Sequence, residues 1–288
     1  MKTVLVLGNG YVANKLQDNW KIDANIIVVS RSEFDYLDVN AFNKLIGKYL
    51  PDYIVNCYGY TGKPNVDSCE DNVTECVQRN VFDQRKIFAL AKNEGIPVIS
   101  ISSGCIYNDE TGKRTFKEDD TPNFGQTNPT ASVYSKSKAA FDKEFQRSYA
   151  ADNYLLRIRM PYDHNLGDDK NYLGKILKYN KLVNYQNSLT HVKYLTRVVE
   201  TIVEDDVETG VYNVVDTGGI NAEDILEIAA EYNHFHNITK WYSTDDMLSE
   251  SIMKCRRSNC VLDNAKIRKY VDIPDVRSIL LETFEETL

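Results

Sequence analysis

The stretch YSKSK places Tyr134 and Lys138 four residues apart, on one face of any helix that contains them. A phenol with a pKa near 10 is a poor acid at neutral pH, and a neighbouring ammonium can stabilise its phenolate and bring it into use. With 19 tyrosines in the chain, a Tyr-x-x-x-Lys pair can arise by chance, so the pair needs company. It has some. Ser103 closes the apolar run PVISISS with a hydroxyl, and Cys105 follows in SSGCIY. Free cysteine is commonly a small apolar filler, whereas a thiol at the mouth of a pocket can move protons. The residues alone leave both readings of Cys105 open.

A second constellation lies at the N-terminus. GNGYVA runs from Gly8 through Asn9, Gly10, Tyr11 and Val12 to Ala13, after an apolar strand and before a helical period. The first glycine allows a tight turn, the second lets backbone approach a pyrophosphate, and the small third residue lets helix and strand pack closely. The next apolar run ends in Ser30 and Arg31, with no acid at the position where a ribose 2′-hydroxyl would be read. A serine and a guanidinium there suit the 2′-phosphate of NADPH, although Arg31 also reads as a solvated loop cation. Asp38 is placed to meet the adenine amine, and the turn at Cys57, Tyr58 and Gly59 should pass close to the cofactor.

These residues sit at the ends of short runs rich in β-branched residues, too continuous for half-exposed strands: 3–8, 25–30, 52–57 and 97–102. Helical periods separate them, including a long one over 69–93 and another over 132–150 that carries Tyr134 and Lys138. Alternation of this kind predicts an α/β fold, a Rossmann-type doubly wound parallel sheet with right-handed crossovers. After residue 160 the pattern loosens, with helices near 171–180, 190–204 and 222–232, a strand at 210–216 and a last helix from about 275. We therefore expect a cofactor domain over 1–160 and a smaller C-terminal substrate lobe over 161–288, some of whose segments return to the first domain.

Composition excludes other classes. The chain has 288 residues and a formal net charge of −8 with no basic run to offset it, which argues against nucleic acid or an acidic membrane surface as partner. Its six cysteines show no Cys-x-x-Cys, and its four histidines no ligand spacing, so neither a metal site nor a disulfide framework is expected. The N-terminal apolar run is too short for a membrane span, and a cytoplasmic setting is expected.

Ser103, Tyr134, Lys138 and the glycine loop together resemble the short-chain dehydrogenase/reductase superfamily, extended type. GYTGKPNVDSCE (59–70), SSGCIY (102–107), FKEDDTPNF (116–124), YSKSK, RIRMP (157–161), NYLGKILKYNKLVN (171–184) and RSN (257–259) narrow the resemblance. In that order they are similar to the nucleotide-rhamnose synthases, bifunctional UDP-4-keto-6-deoxyglucose 3,5-epimerase/4-reductases related to dTDP-4-dehydrorhamnose reductase. Plant members of that family have arginine where Lys63 stands and threonine where Ser103 stands. The resemblance implies NADPH as cofactor, a UDP-sugar substrate and a homodimer formed through the two long helices. It implies Cys105 and Lys175 as the epimerase acid/base pair, although by residue type alone Lys175 is one of several basic residues on a helix face. It also implies sugar or diphosphate contacts from Lys63, Asn65, Asp67, Asn171, Asn184 and Arg257. Two other readings stay open: the same machinery acting on a 2-acetamido-4-keto-hexose, and a non-catalytic, cofactor-binding regulatory subunit.

Overall fold

A computed structural model describes residues 1–288 apart from Pro64, Asn237 and Thr239. Its main layer is a six-stranded sheet made of β1 (Lys2–Leu7), β2 (Ala24–Val29), β3 (Tyr53–Asn56), β4 (Val98–Ser103), β5 (Tyr154–Ile158) and β6 (Gly210–Asn213). The spatial order is β6-β5-β4-β3-β1-β2, and every pairing is parallel. Parallel strands are covered on both faces, and β1 shows why the run TVLVL had to be continuously apolar. Val4 and Val6 pack into one core with α1 (Tyr11–Asn19), whereas Leu5 and Leu7 pack into the other with Phe42, Phe88, Phe141 and Phe145. Side chains alternate along a strand, so a strand clad on both sides cannot spare a polar position. Chain order reverses between β1 and β3, which opens a crevice at their carboxyl ends.

Helix α2 (Val39–Tyr49) follows β2. The long helix expected over 69–93 is instead broken into α3 (Ser68–Asp71), α4 (Val73–Val77), a π-helical turn (Gln78–Phe82) and α5 (Asp83–Asn93). Asn72 leaves the helical region at φ −122° and ψ 49°, which separates the first two pieces. The π turn buries Asn80, whose side chain bonds across to the neighbouring loop and helix, and π turns often mark functional sites. Helix α6 (Val133–Ser148) opens at Ser132, whose hydroxyl accepts from the Ser135 amide at 3.0 Å.

Beyond β5 come α7 (Tyr172–Lys178), α8 (Val192–Glu204), α9 (Ala222–Glu231), a short α10 (Thr244–Ser249) and α11 (Val276–Glu285). The expected division near residue 160 is crossed by the chain: α8 packs beside α1, and β6 forms an edge of the main sheet.

One buried ion pair fixes α6 against the sheet. Arg157 on β5 donates to both carboxylate oxygens of Asp142 on α6 at 2.7 Å, and neither side chain is exposed. Removing one partner strands a buried charge, which costs about 3–5 kcal/mol. Asp142→Ala should lower the unfolding free energy measured in urea by that much, and an unchanged free energy would mean that α6 is anchored by its apolar face alone.

Candidate active site

The glycine loop at the end of β1 has the conformation its residue types predict. Gly8 has φ +107°, its amide donates to the Val29 carbonyl at 2.9 Å, and a Cβ there would lie 3.4 Å from the backbone of Cys57 and Tyr58. Gly10 caps α1 without a side-chain hydrogen bond, and the space its Cβ would fill is open. The first amides of α1 carry no side-chain cap, and the loop before them lies against the end of β3, an arrangement suited to a phosphate. Asn9 adds only its carbonyl, which accepts from Asn14, while Val12 and Ala13 pack into the core. The Tyr11 hydroxyl is buried, and desolvation, followed by the charge of Asp163, pushes its phenol above the ordinary range. A Cβ on Gly59 would come within 3.5 Å of the Lys138 ammonium, so the 57–59 turn runs against the Tyr-Lys helix. Cys57 is half-buried, and burial pushes its thiol up to about 12.

The carboxyl end of β2 holds a surprise. Ser30 and Arg31 lie where expected, but the Glu33 carboxylate folds back to accept from both the Ser30 amide (3.0 Å) and the Ser30 hydroxyl (2.7 Å). Those hydrogen bonds hold the Glu33 carboxyl below its usual range. An acid therefore does stand at the strand end, and local sequence missed it because it arrives by a turn. Arg31 donates to the Tyr58 hydroxyl at 2.8 Å and to Asp35 at 3.2 Å, and Tyr58 in turn donates to Asp83 at 2.7 Å. Desolvation and that bond push the Tyr58 phenol up to about 12. Asp38 is an N-cap: its side chain accepts from the Ala41 amide at 2.9 Å, so its first role is to start α2.

The candidate chemical residues gather past the end of β4. Tyr134 and Lys138 are both buried on α6, with the ammonium 5.9 Å from the centre of the phenol ring. Burial pushes the Tyr134 phenol well above 10, with the charge of Cys105 second and the Ser103 hydroxyl pulling the other way. The cation was expected to lower this phenol; desolvation wins, and Tyr134 is held protonated. Lys138 is lowered to about 8 by desolvation. No carboxylate pairs with it among the described residues.

The Ser103 hydroxyl accepts from the Cys105 amide at 3.1 Å, and half-buried Cys105 packs in one cluster with Tyr134, Cys69, Cys76 and Tyr60. Asn80, absent from the sequence reading, bonds to Tyr60 backbone on one side and to the Ser137 hydroxyl of α6 at 3.1 Å on the other. It joins the cofactor-side turn to the helix of Tyr134, and only its unexpectedly polar position in an apolar helical stripe hints at this.

The expected sugar and diphosphate contacts divide. Arg257, Asn65 and Asp67 come together: the guanidinium lies 2.7 Å from the Asp67 carboxylate and 3.4 Å from the Asn65 amide oxygen. Lys63 is exposed in the same loop. Asn171 departs from its expected role: it is fully buried, donates to Asp163 and Asn165, and accepts from the Leu173 amide. These bonds saturate it as the N-cap of α7. Asn184 likewise binds within the protein, to the carboxylate and amide of Glu223 at the start of α9. Lys175 is half-buried, and desolvation with the nearby Lys170 lowers its ammonium. It shares a face of α7 with Tyr172, three residues before it, whose phenol is close enough to Arg159 to feel its charge.

The RmlD substrate binding domain model matches residues 1–286. A bifunctional dTDP-4-dehydrorhamnose 3,5-epimerase/dTDP-4-dehydrorhamnose reductase of Arabidopsis thaliana is 31% identical over 234 residues, 80% of this chain and 74% of the relative. A trifunctional UDP-glucose 4,6-dehydratase/UDP-4-keto-6-deoxy-D-glucose 3,5-epimerase/UDP-4-keto-L-rhamnose-reductase of the same plant is 32% identical over 235 residues. The chain matches only 33% of that longer protein. In fold it is similar to the UDP-rhamnose synthase of Acanthamoeba polyphaga mimivirus, with TM-score 0.83, 22% identity and 99% of each chain covered.

Proposed function

The chain belongs to the RmlD substrate binding domain family, and from that premise we propose that it reduces the 4-ketone of a UDP-linked 4-keto-6-deoxy sugar with NADPH after inverting C3 and C5. UDP-L-rhamnose is then the product. The observation that carries the reading is that Cys105 packs into the same small cluster as Tyr134, close enough for its charge to bear on the phenol, with Ser103 and Lys138 beside them. A reductase needs Ser103, Tyr134 and Lys138; a half-buried thiol on the same spot supplies the proton-moving group that inversion requires. We assign the cytoplasm, a homodimer and a smaller substrate lobe over residues 161–288, some of whose segments return to the first domain, to the same reading.

The Gly8–Ala13 loop, the first turn of α1, Ser30, Arg31 and the 57–59 turn would hold NADPH, which when bound supplies the hydride for C4. Before reduction, C3 and C5 flank a ketone and their protons are acidic. Cys105 and Lys175 act from opposite faces, one removing a proton and the other returning one, while Ser103 and Tyr134 steady the enolate oxygen. Protonated Tyr134 then gives its proton to the C4 oxygen, and the Lys138 ammonium stabilises the phenolate left behind. Inversion must precede reduction, because an alcohol no longer acidifies its neighbours. Incubation with UDP-4-keto-6-deoxyglucose and NADPH, followed by NMR of the product, tests the whole reading.

Two predictions concern the cofactor. A charge-assisted contact to a 2′-phosphate is worth about 1.5–3 kcal/mol, so Arg31→Ala should cost roughly ten- to a hundredfold in kcat/KM for NADPH. Glu33→Gln should act in the opposite direction, improving NADPH several-fold by removing the carboxylate that occupies Ser30. Steady-state kinetics with both cofactors decide, and equal changes with NADH would contradict the assignment.

The second prediction is a pH dependence. Lys138 in the free protein is charged below about pH 8 and neutral above it. NADPH affinity should therefore weaken as the pH rises above about 8, and Lys138→Met should flatten that limb. Fluorescence titration against pH reads both, and a limb that survives in the variant would assign it to another group.

A further inference from the structure

The motif RIRM carries two buried arginines two residues apart, and they are neutralised differently. Arg157 has the carboxylate of Asp142. Arg159 is only 2% exposed and has no carboxylate within ion-pair distance among the described residues. Its guanidinium donates to the Cys105 sulfur at 2.8 Å, to the Ser258 hydroxyl at 3.3 Å and carbonyl at 3.0 Å, and to the Asn187 side chain, while its Nε is buried without a partner. Neutral acceptors hold the group in place without cancelling its charge. Burying an uncompensated cation is costly, and proteins that do so keep an anion at hand. Cys260, Cys105 and Tyr172 are the ionisable neighbours whose charge bears on Arg159, and of these the sulfur of Cys105 is the one it meets in a hydrogen bond.

Local packing favours this contact. A Cβ on Gly104 would lie 3.0 Å from the Arg159 stem and 2.5 Å from Leu262, so the residue before Cys105 must be small for the guanidinium to reach the sulfur. Asn187 and Ser258 clamp the far side of the fork. The groups whose charge bears on this sulfur are Arg159, Lys138, Tyr134 and Cys260, and of these Arg159 alone is a cation in hydrogen-bond contact with it.

We propose that Arg159 is the positioning residue of the epimerase half-reaction: it aims the Cys105 sulfur at the sugar and serves as the counter-ion of its thiolate. The inference rests on the epimerase reading of Cys105. The thiolate takes the proton from the carbon beside the ketone, and the C–H electron pair moves into the enolate whose charge ends on the ketone oxygen. The Lys175 ammonium returns a proton to the opposite face, and exchange with water restores thiolate and ammonium.

The test reads the sulfur directly. Intact protein is alkylated with iodoacetamide between pH 5 and 10, and labelling at Cys105 is followed by peptide mass spectrometry in wild type, Arg159→Met and Arg159→Lys. An opposite charge in contact favours the thiolate by about tenfold or more. We expect labelling at Cys105 near neutral pH to slow by about that factor in Arg159→Met and to be partly restored in Arg159→Lys, with sugar C–H exchange slowing alongside it. Arg159→Lys keeps a cation in the core and guards against a fold that fails in Arg159→Met. Labelling at the same rate in both folded variants as in wild type would overturn the proposal. Absence of sugar exchange in wild type, with the slowing of alkylation intact, would instead overturn the epimerase reading.

Discussion

Tyr134→Phe is expected to lose about 10²–10⁴-fold in reduction of the 4-ketone while keeping its fold and its affinity for NADPH. The phenol is buried at the end of β4, beside Ser103 and Cys105, and burial keeps it protonated. A protonated acid is the form reduction needs, because the new alkoxide at C4 must receive a proton as it forms. Phenylalanine fills the same volume and removes only that proton. Pre-steady-state NADPH absorbance at a fixed, saturating ketone concentration isolates the step. Reduction within a few-fold of wild type would mean that the proton comes from elsewhere, and the role given to Ser103 and Lys138 would fall with it.

The second large effect separates the two activities. Cys105→Ser should lose about 10²–10⁴-fold in exchange of C3 and C5 protons for deuterium, since a hydroxyl is a far weaker acid/base at neutral pH. Given a ketone already inverted at both carbons, the same variant should still oxidise NADPH. Serine is chosen over alanine because the Arg159 guanidinium donates to this side chain, and a buried donor left without an acceptor costs about 1–3 kcal/mol in stability. Cys105→Ala should therefore melt lower than Cys105→Ser and show the same loss of exchange. Exchange at the wild-type rate in the serine variant would return Cys105 to the role of filler.

Most of the fold was legible because each strand of the main sheet is clad on both faces, which leaves an unbroken apolar run in the sequence. The glycine loop was legible for a similar reason: Gly8 occupies a backbone region that other residues avoid. What escaped was set by distant contacts. The stretch around Asn72 has helical periodicity, yet the break there and the π turn around Asn80 depend on packing against α6 and the 57–60 turn. Asn171 and Asn184 matched the pattern of ligand contacts, but the structure saturates Asn171 with internal hydrogen bonds and ties Asn184 to the start of α9. Glu33 and Arg159 acquire meaning only when a turn or a neighbouring strand brings Ser30 or Cys105 to them.

One measurement bears on the central claim most directly. The full chain is incubated in heavy water with UDP-4-keto-6-deoxyglucose and NADPH, and the product is read by NMR. The account predicts UDP-L-rhamnose, with deuterium at C3 and C5 and a hydride-derived proton at C4. A 4-alcohol that retains the starting configuration and protons at C3 and C5 would contradict it, and would leave a reductase whose cysteine serves only to pack.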